Sequence, residues 1–441
     1  MKVLLATHQY FPEHIGGTEI YTHGIARRLL GKNIDVAVVT YHEEPSPKKE
    51  RYIITENDYE GIKIYQINYN LSLAEDIVLA EYNNEYTGKL FAEVLDSFRP
   101  DMVHFTHFMK ISARAAEICR LSRVPYMVSL TDFWTICLRH TLLKWNSNIC
   151  YGPRNDTYCL KCFQHTHGAF KPLVARLPDH ALRLGIVFSR KIFPLFSRET
   201  LSEANRLSLR NKYIKEQILN AELCLALSGF QREVLVQNGY PADRIILSQH
   251  GLETDGYLAK EEKREHIQIK MTYIGSIVKH KGVHLILEAL HRSDNQNLVL
   301  EIYGNVSGED IYLQKIRDMA ARDNRVTLKG TVPFNQLGKV YSECDVLLMP
   351  SLWFENEPLV VKAAIFKGVP VIANNTGSLG EMIVHNKNGW LLQSGLLRSW
   401  IDVFDQLTRQ KLNELDTEEG SVRTMDENFE EIYSHYKKIV T

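Results

Sequence analysis

Glu355 stands three residues ahead of Pro358, which opens the apolar run Leu359-Val360-Val361-Lys362-Ala363-Ala364-Ile365-Phe366, and Gly368 follows its end. Proline suits the first position of a helix, where its missing N–H costs nothing, and glycine suits the residue just past the end. The first amides of such a helix, those of Leu359, Val360 and Val361, lack partners within it. They form an anion site whose usual guest is a phosphate. A carboxylate in the loop just upstream can accept hydrogen bonds from the hydroxyls of a neutral polyol. Glu355 and the helix start could therefore hold phosphate and polyol side by side. An acidic loop merely capping a core helix would look the same in these residues alone.

Other chemistry-bearing residues follow apolar runs. Gly16-Gly17 comes shortly after the apolar run Lys2 to Thr7 and lets backbone approach a ligand closely. It is not the spaced Gly-x-Gly-x-x-Gly of a dinucleotide site, and a plain turn would use the same pair. His104-Phe105-Thr106-His107 and Thr131-Asp132-Phe133-Trp134 close two further runs, where open α/β sheets bind ligands; one of the two histidines is expected to be simply packed. Lys281-Gly282 and Gly304 follow runs in the second half of the chain. Cys137, Cys150, Cys159 and Cys162 put four of the seven cysteines within 26 positions, the last pair as Cys-x-x-Cys. That spacing, with no export signal evident at the start, favours a structural zinc thiolate stapling a loop. An iron–sulfur cluster and four unliganded thiols are the competing readings.

These residues need a scaffold to bring them together. At 441 residues two or three domains are expected. A hydrophobic content of 44% with 24% charged residues is that of a soluble globular chain. Fifty-two basic residues against 53 acidic ones remove any whole-chain case for nucleic-acid binding. No apolar run approaches the ~18 residues that span a bilayer, and Met1 to His8 turn polar too soon for a signal peptide. A cytoplasmic location is expected, with a peripheral position on the inner face of the membrane as its variant. Strand and helix patterns alternate twice, through residues 1–250 and 266–420, with a charged linker at 251–265. The expected fold is α/β: two facing Rossmann-like, doubly wound domains with a ligand cleft between them. The first carries a Cys-rich insert at about 137–162. The last segment, 421–441, is expected to be a helix crossing back to the first domain. Between 170 and 198, six basic residues and one acid, Asp179, lie among apolar ones. Such a run reads either as interfacial, on an anionic membrane or a lipid-linked substrate, or as the solvated face of a core-packed helix.

Taken in order, several motifs carry a resemblance. They are His8-Gln9-Tyr10-Phe11-Pro12 with Gly16-Gly17, Asp101-Met102-Val103-His104, Asp132-Phe133-Trp134-x-x-Cys137, Gly275 with Lys281-Gly282, and the stretch from Pro350 to Ala373. The chain resembles a family-4 glycosyltransferase of the GT-B fold, in a subset with a Cys-rich loop after Asp-Phe-Trp. The resemblance implies transfer of a sugar from a nucleotide-diphosphate donor to a hydroxyl acceptor, with retention and without a catalytic metal. Cell-surface polysaccharide or glycolipid assembly is the implied setting. It implies donor contacts at Gly16, Gly17, Lys281, Gly304, Glu355, Leu359 and Val360, and an acceptor side at His107 and Asp132. The family pairs two glutamates eight positions apart; here the first is Glu355 and the second position is Ala363, whose methyl cannot accept a hydrogen bond. Ser276 and Thr131 depart from the family's usual arginine and histidine, and there is no Asp-x-Asp to hold a metal. Ala363 suggests an inactivated or weakened form. It also keeps open a non-catalytic nucleotide-sugar or glycan-binding protein, beside a sugar-nucleotide epimerase or a phosphorylase on the same architecture.

Overall fold

The computed structural model describes residues 1–43, 52–71, 74–153, 156–166, 174, 176–191, 198–257, 268–417 and 422–441. The chain divides into two compact units: Met1–Leu227 with Gln231–Ser248 and Phe429–Thr441, and Gln249–Asn428 with Ser228–Phe230.

Among the described residues, the first unit is built on an eight-stranded sheet. Its strands are β1 (Lys2–Ala6), β2 (Asp35–His42), β3 (Tyr52–Tyr59), β4 (Ile62–Tyr69), β5 (Met102–Phe105), β6 (Tyr126–Leu130), β7 (Leu223–Ala226) and β8 (Ile245–Leu247). They lie in the order β3-β4-β2-β1-β5-β6-β7-β8. The β3–β4 hairpin is antiparallel and the other pairings are parallel. Val3, Leu4, Leu5 and Ala6 have no exposed surface, as expected of a strand covered on both faces. The chain leaves β1 towards β2 on one side, and β5 lies on the other. The carboxyl ends of β1 and β5 therefore flank a switch point, where doubly wound sheets bind ligands.

His104 is the packed histidine. Its Nδ1 pairs with the Tyr436 hydroxyl at 2.6 Å and its Nε2 with Ser129 Oγ at 2.8 Å. Through that bond the last helix, Met425–Val440, is pinned to β5. Burial lowers the His104 imidazole to about 3, so it stays neutral in the fold but takes a proton in the unfolded chain below about 6.5. Stability is then full above the unfolded value and lost as pH falls through the window between the two. His104 alone contributes a loss of ~2 kcal/mol from pH 6.5 to 5, and in chemical denaturation His104→Gln should remove that part of the slope.

The second unit holds, among the described residues, a six-stranded parallel sheet ordered β11-β10-β9-β12-β13-β14. The strands are β9 (Ile269–Ile274), β10 (Leu298–Tyr303), β11 (Val326–Gly330), β12 (Val346–Met349), β13 (Val371–Asn374) and β14 (Gly389–Leu392). Alternation along β12 sends Val346 and Leu348 into one apolar cluster with Met271, Leu300 and Trp400. Leu347 and Met349 enter the other, with Val361, Ala363 and Ala364 from the helix Leu359–Phe366. The sheet is therefore buried on both faces, which leaves its strand ends for function. Here β9 lies between β10 and β12, and the loops after β9, β10 and β12 carry Gly275, Gly304 and Pro350. Both units are doubly wound α/β sheets.

Candidate active site

In the second unit the chain turns from β12 through Pro350–Pro358 into the helix Leu359–Phe366. Glu355, 4% exposed, is the centre of that turn. Its Oε1 accepts hydrogen bonds from Lys281 Nζ at 2.7 Å, Ser351 Oγ at 2.5 Å and Trp353 Nε1 at 2.6 Å. None of the three uses Oε2. Lys281 reaches this carboxylate because its loop is pressed against the β12 exit. Gly282 adopts φ +75°, and a Cβ there would lie 2.1 Å from the Pro350 carbonyl oxygen. Leu352 N–H donates to the His280 carbonyl at 2.8 Å, and the Lys281 ammonium lies 4.8 Å from the Trp353 ring centre. Gly377 closes the other side, since any Cβ would strike the Glu355 backbone. Gly304 likewise has Gly275's carbonyl oxygen 2.3 Å from where its Cβ would be.

Sequence reading singled out Glu355 and Lys281 but missed the groups that hold them. Ser351 and Trp353 lie four and two residues before Glu355, and both side chains carry donors suited to a carboxylate. Asn374 is less visible from sequence. It is fully buried at the end of β13, donates to the Pro350 and Ser351 carbonyls at 2.8 and 3.1 Å, and accepts from Trp400 Nε1 at 2.9 Å. Asn374→Leu should slacken the Pro350–Glu355 turn and unfold about 1–3 kcal/mol more easily, measured by denaturant titration.

At the helix start, Pro358 is extended and no side chain caps the end. Val361 N–H turns back to the Pro358 carbonyl at 3.0 Å, so the amides of Leu359 and Val360 are the ones that remain for an anion. Glu357 and Lys362 form a buried ion pair beside this turn. Glu357 also accepts from His250 N–H at 2.6 Å, and Lys362 donates to the His250 carbonyl. Burial pushes the Glu357 carboxyl up to about 7 against the pull of Lys362, and burial lowers the Lys362 ammonium. Desolvation thus works against both charges, and each needs the other. Lys362→Met alone should cost ~3–5 kcal/mol in a denaturant titration, and adding Glu357→Met should restore most of it. Ala363 follows directly, with no exposed surface, in the hydrophobic cluster that also holds Val361, Ala364 and Tyr341.

In the first unit, His107 and Asp132 meet at the carboxyl ends of β5 and β6, with Nε2 2.9 Å from Oδ2. His107 Nδ1 accepts Met109 N–H at 2.9 Å, so its Nε2 carries the proton given to Asp132. Burial raises the Asp132 carboxyl, but the His107 imidazole and the Trp134 amide outweigh it and hold the group at about 2. His8, two residues past β1, lies against His107 with ring centres 4.2 Å apart and planes tilted by 39°, and its Nε2 lies 3.6 Å from Glu19 Oε1. The Glu19 carboxylate folds back over Gly16, where a Cβ would come within 2.5 Å of it, whereas Gly17 has nothing within 4 Å of its Cβ position. Gly16 thus carries the Glu19 carboxylate against it, and Gly17 is the glycine with room beside it.

The zinc expectation is corrected. Cys137, Cys150, Cys159 and Cys162 are free thiols, and among the described residues no group of three or more His, Cys, Asp or Glu side chains could hold a metal ion. Burial raises the Cys137 thiol to about 11 and pushes Cys159 well up, which favours the neutral form over the thiolate a zinc site needs. Cys150 instead donates to the Gly152 carbonyl at 3.5 Å. The Cys-x-x-Cys pair sits on the helix Asp156–Thr166.

Residues 258–419 match the family model described as glycosyl transferases group 1. The amylovoran biosynthesis glycosyltransferase AmsK of Erwinia amylovora is 25% identical over 47% of this chain and 53% of its own length. The uncharacterized glycosyltransferase MJ1607 of Methanocaldococcus jannaschii is 23% identical over 88% of this chain and 84% of its own. Apart from MJ1607, the chain spans about half the length of the curated relatives it matches. Among solved structures, Anabaena Alr3699/HepE in complex with UDP superposes with a TM-score of 0.62 at 15% identity, covering 99% of this chain and 100% of that one. The fold is GT-B, and the proteins the chain matches are glycosyltransferases. Assignment to family 4, and to its Cys-rich subset, is corrected: the matching model is that of group 1. The short glycine, histidine and Asp-Phe-Trp motifs sit at strand ends, where this architecture binds ligands in general, so they mark the fold more than the family. Among the described residues no helix is long and apolar enough to cross a membrane.

Proposed function

We propose that the chain transfers a sugar from a nucleotide-diphosphate donor to a hydroxyl acceptor, with retention, in cell-surface polysaccharide or glycolipid assembly. The observation that carries this reading is the Glu355 carboxylate, held by three donors beside an uncapped helix start. The similarity to AmsK, a glycosyltransferase of amylovoran biosynthesis, and to the UDP-bound HepE supports it. In this reading the diphosphate lies against the Leu359 and Val360 amides, with Lys281 as the cation beside it. Glu355 Oε2 accepts from the sugar hydroxyls. As the C1–O bond breaks, negative charge grows on the diphosphate, and fixed donors there lower the barrier. The acceptor binds on the side of Gly17, His107 and Asp132.

His107 has both ring nitrogens engaged, Nε2 with Asp132 and Nδ1 with the Met109 amide, and so offers no free lone pair to an acceptor hydroxyl. Front-face substitution, in which the departing diphosphate takes the acceptor's proton, requires no such base. The pair then serves to orient the acceptor. A lipid-linked acceptor would bring the enzyme to the cytoplasmic face of a membrane. The test is a panel of nucleotide sugars: a donor that raises the melting temperature and is consumed only with a glycan or lipid-linked acceptor supports transfer.

Ala363 favours a second reading, a protein that binds a donor or glycan without turnover, because a buried methyl offers the donor no hydrogen bond. Ala363→Glu decides between them. On the transfer reading it destabilises the ligand-free protein, since the new carboxylate enters an apolar cluster, yet raises donor turnover about tenfold or more. Background turnover in both forms, with donor binding intact, would favour the binding protein.

A further inference from the structure

The helix Asp179–Lys191 is apolar on two opposite faces. Leu182 and Ile186, 0% and 2% exposed, face inward. Leu184, Val187 and Phe188, spaced i, i+3 and i+4, share the opposite face and are 68%, 43% and 43% exposed. A helix needing only to pack on its neighbours would place polar side chains there. Arg176, just before the helix, and His180 and Arg183 on it are exposed. Asp179, the one acid in the 170–198 run, is occupied: its Oδ1 lies 3.0 Å from Lys161 Nζ, which also donates to the Leu177 carbonyl at 2.6 Å. The buried Lys161 thus fixes the start of the helix and neutralises its one acid. Lys171, with residues 167–173, 175 and 192–197, lies outside the described residues.

We infer that this helix face is a docking surface for an anionic lipid bilayer. Leu184, Val187 and Phe188 enter the acyl boundary while Arg176 and Arg183 meet the headgroups. Charge complementarity selects that occupant, because the exposed flank is cationic and its acid is internally paired. Three side chains on little more than one turn present far less than the roughly 800 Å² per partner that a stable protein interface needs, which argues against a second copy of the chain. Insertion into a bilayer has no such minimum and grows with each apolar side chain buried. The inference goes beyond the transfer reading, and binding to vesicles needs neither donor nor acceptor, so either can fail without the other.

The test is co-sedimentation of the full chain with vesicles of phosphatidylglycerol and phosphatidylethanolamine, and with vesicles of phosphatidylcholine alone. The wild type should partition onto the anionic vesicles and come off as salt rises from ~50 to ~500 mM. Leu184→Glu with Phe188→Glu should lower that partitioning by tenfold or more (~1 kcal/mol for each large apolar group withdrawn). Arg176→Gln with Arg183→Gln should lower it ~5-fold per arginine on anionic vesicles only. Circular dichroism should be unchanged in both pairs, whose side chains lie at the surface. A wild type that stays in solution with anionic vesicles would overturn the inference, as would an apolar-pair variant that binds as well as wild type. A wild type that sediments alone as a dimer, split by Leu184→Glu with Phe188→Glu, would overturn it in favour of a second copy.

Discussion

Glu355→Gln is expected to reduce sugar transfer by about a thousandfold while leaving the fold intact. The amide keeps the shape but loses the charge that Lys281, Ser351 and Trp353 point at. Charge-assisted hydrogen bonds are roughly twice as strong as neutral ones, and removing one preorganised group from a reacting centre typically costs 10²–10³ in rate. The effect should fall mainly on kcat. Oε1 is engaged before any donor arrives, so the loss is felt when the sugar acquires cationic character and the carboxylate nearby matters most. Steady-state kinetics with an accepted nucleotide sugar checks this. An unchanged kcat would remove Glu355 from the reaction.

Lys281→Met should be the next largest, lowering kcat/KM by about a hundredfold. Here the loss should divide between KM and kcat, because the ammonium neutralises a diphosphate that is charged in the ground state and more so as the bond breaks. The pair should also be non-additive. Lys281 and Glu355 are 2.7 Å apart, and removing either disrupts the other's surroundings, so the double variant should be little worse than Glu355→Gln alone. Full additivity would mean that the two act on separate parts of the donor.

Much of the scaffold was legible because its strands are buried on both faces. Val3 to Ala6, Val346 to Met349 and Val371 to Ala373 read as apolar runs with loops, glycines and helices between them, and a doubly wound fold follows from that alternation. The strand β4 was passed over although Ile62, Ile64 and Ile67 lie in a largely alternating run. Its partner β3 is polar, and a hairpin at a sheet edge signals weakly. The Glu355–Lys281 meeting was foreseeable in kind, since both follow strands of one sheet. The hold of Asn374 on the 350–351 carbonyls was not, because a lone asparagine at a strand end has no distinguishing pattern. The cysteines misled for the opposite reason. Their spacing fits a metal site, but spacing carries no information on what the sulfurs meet in the fold, and free neutral thiols use the same letters.

In the proposed reaction the start of one eight-residue helix, with Lys281 beside it, holds an activated sugar by its diphosphate. A crystal structure with a bound nucleotide sugar tests it most directly. The account predicts diphosphate oxygens about 3 Å from the Leu359 and Val360 amides and within reach of Lys281 Nζ, with a sugar hydroxyl on Glu355 Oε2. A diphosphate bound at any other strand end, with the Leu359 amides left to water, would contradict it.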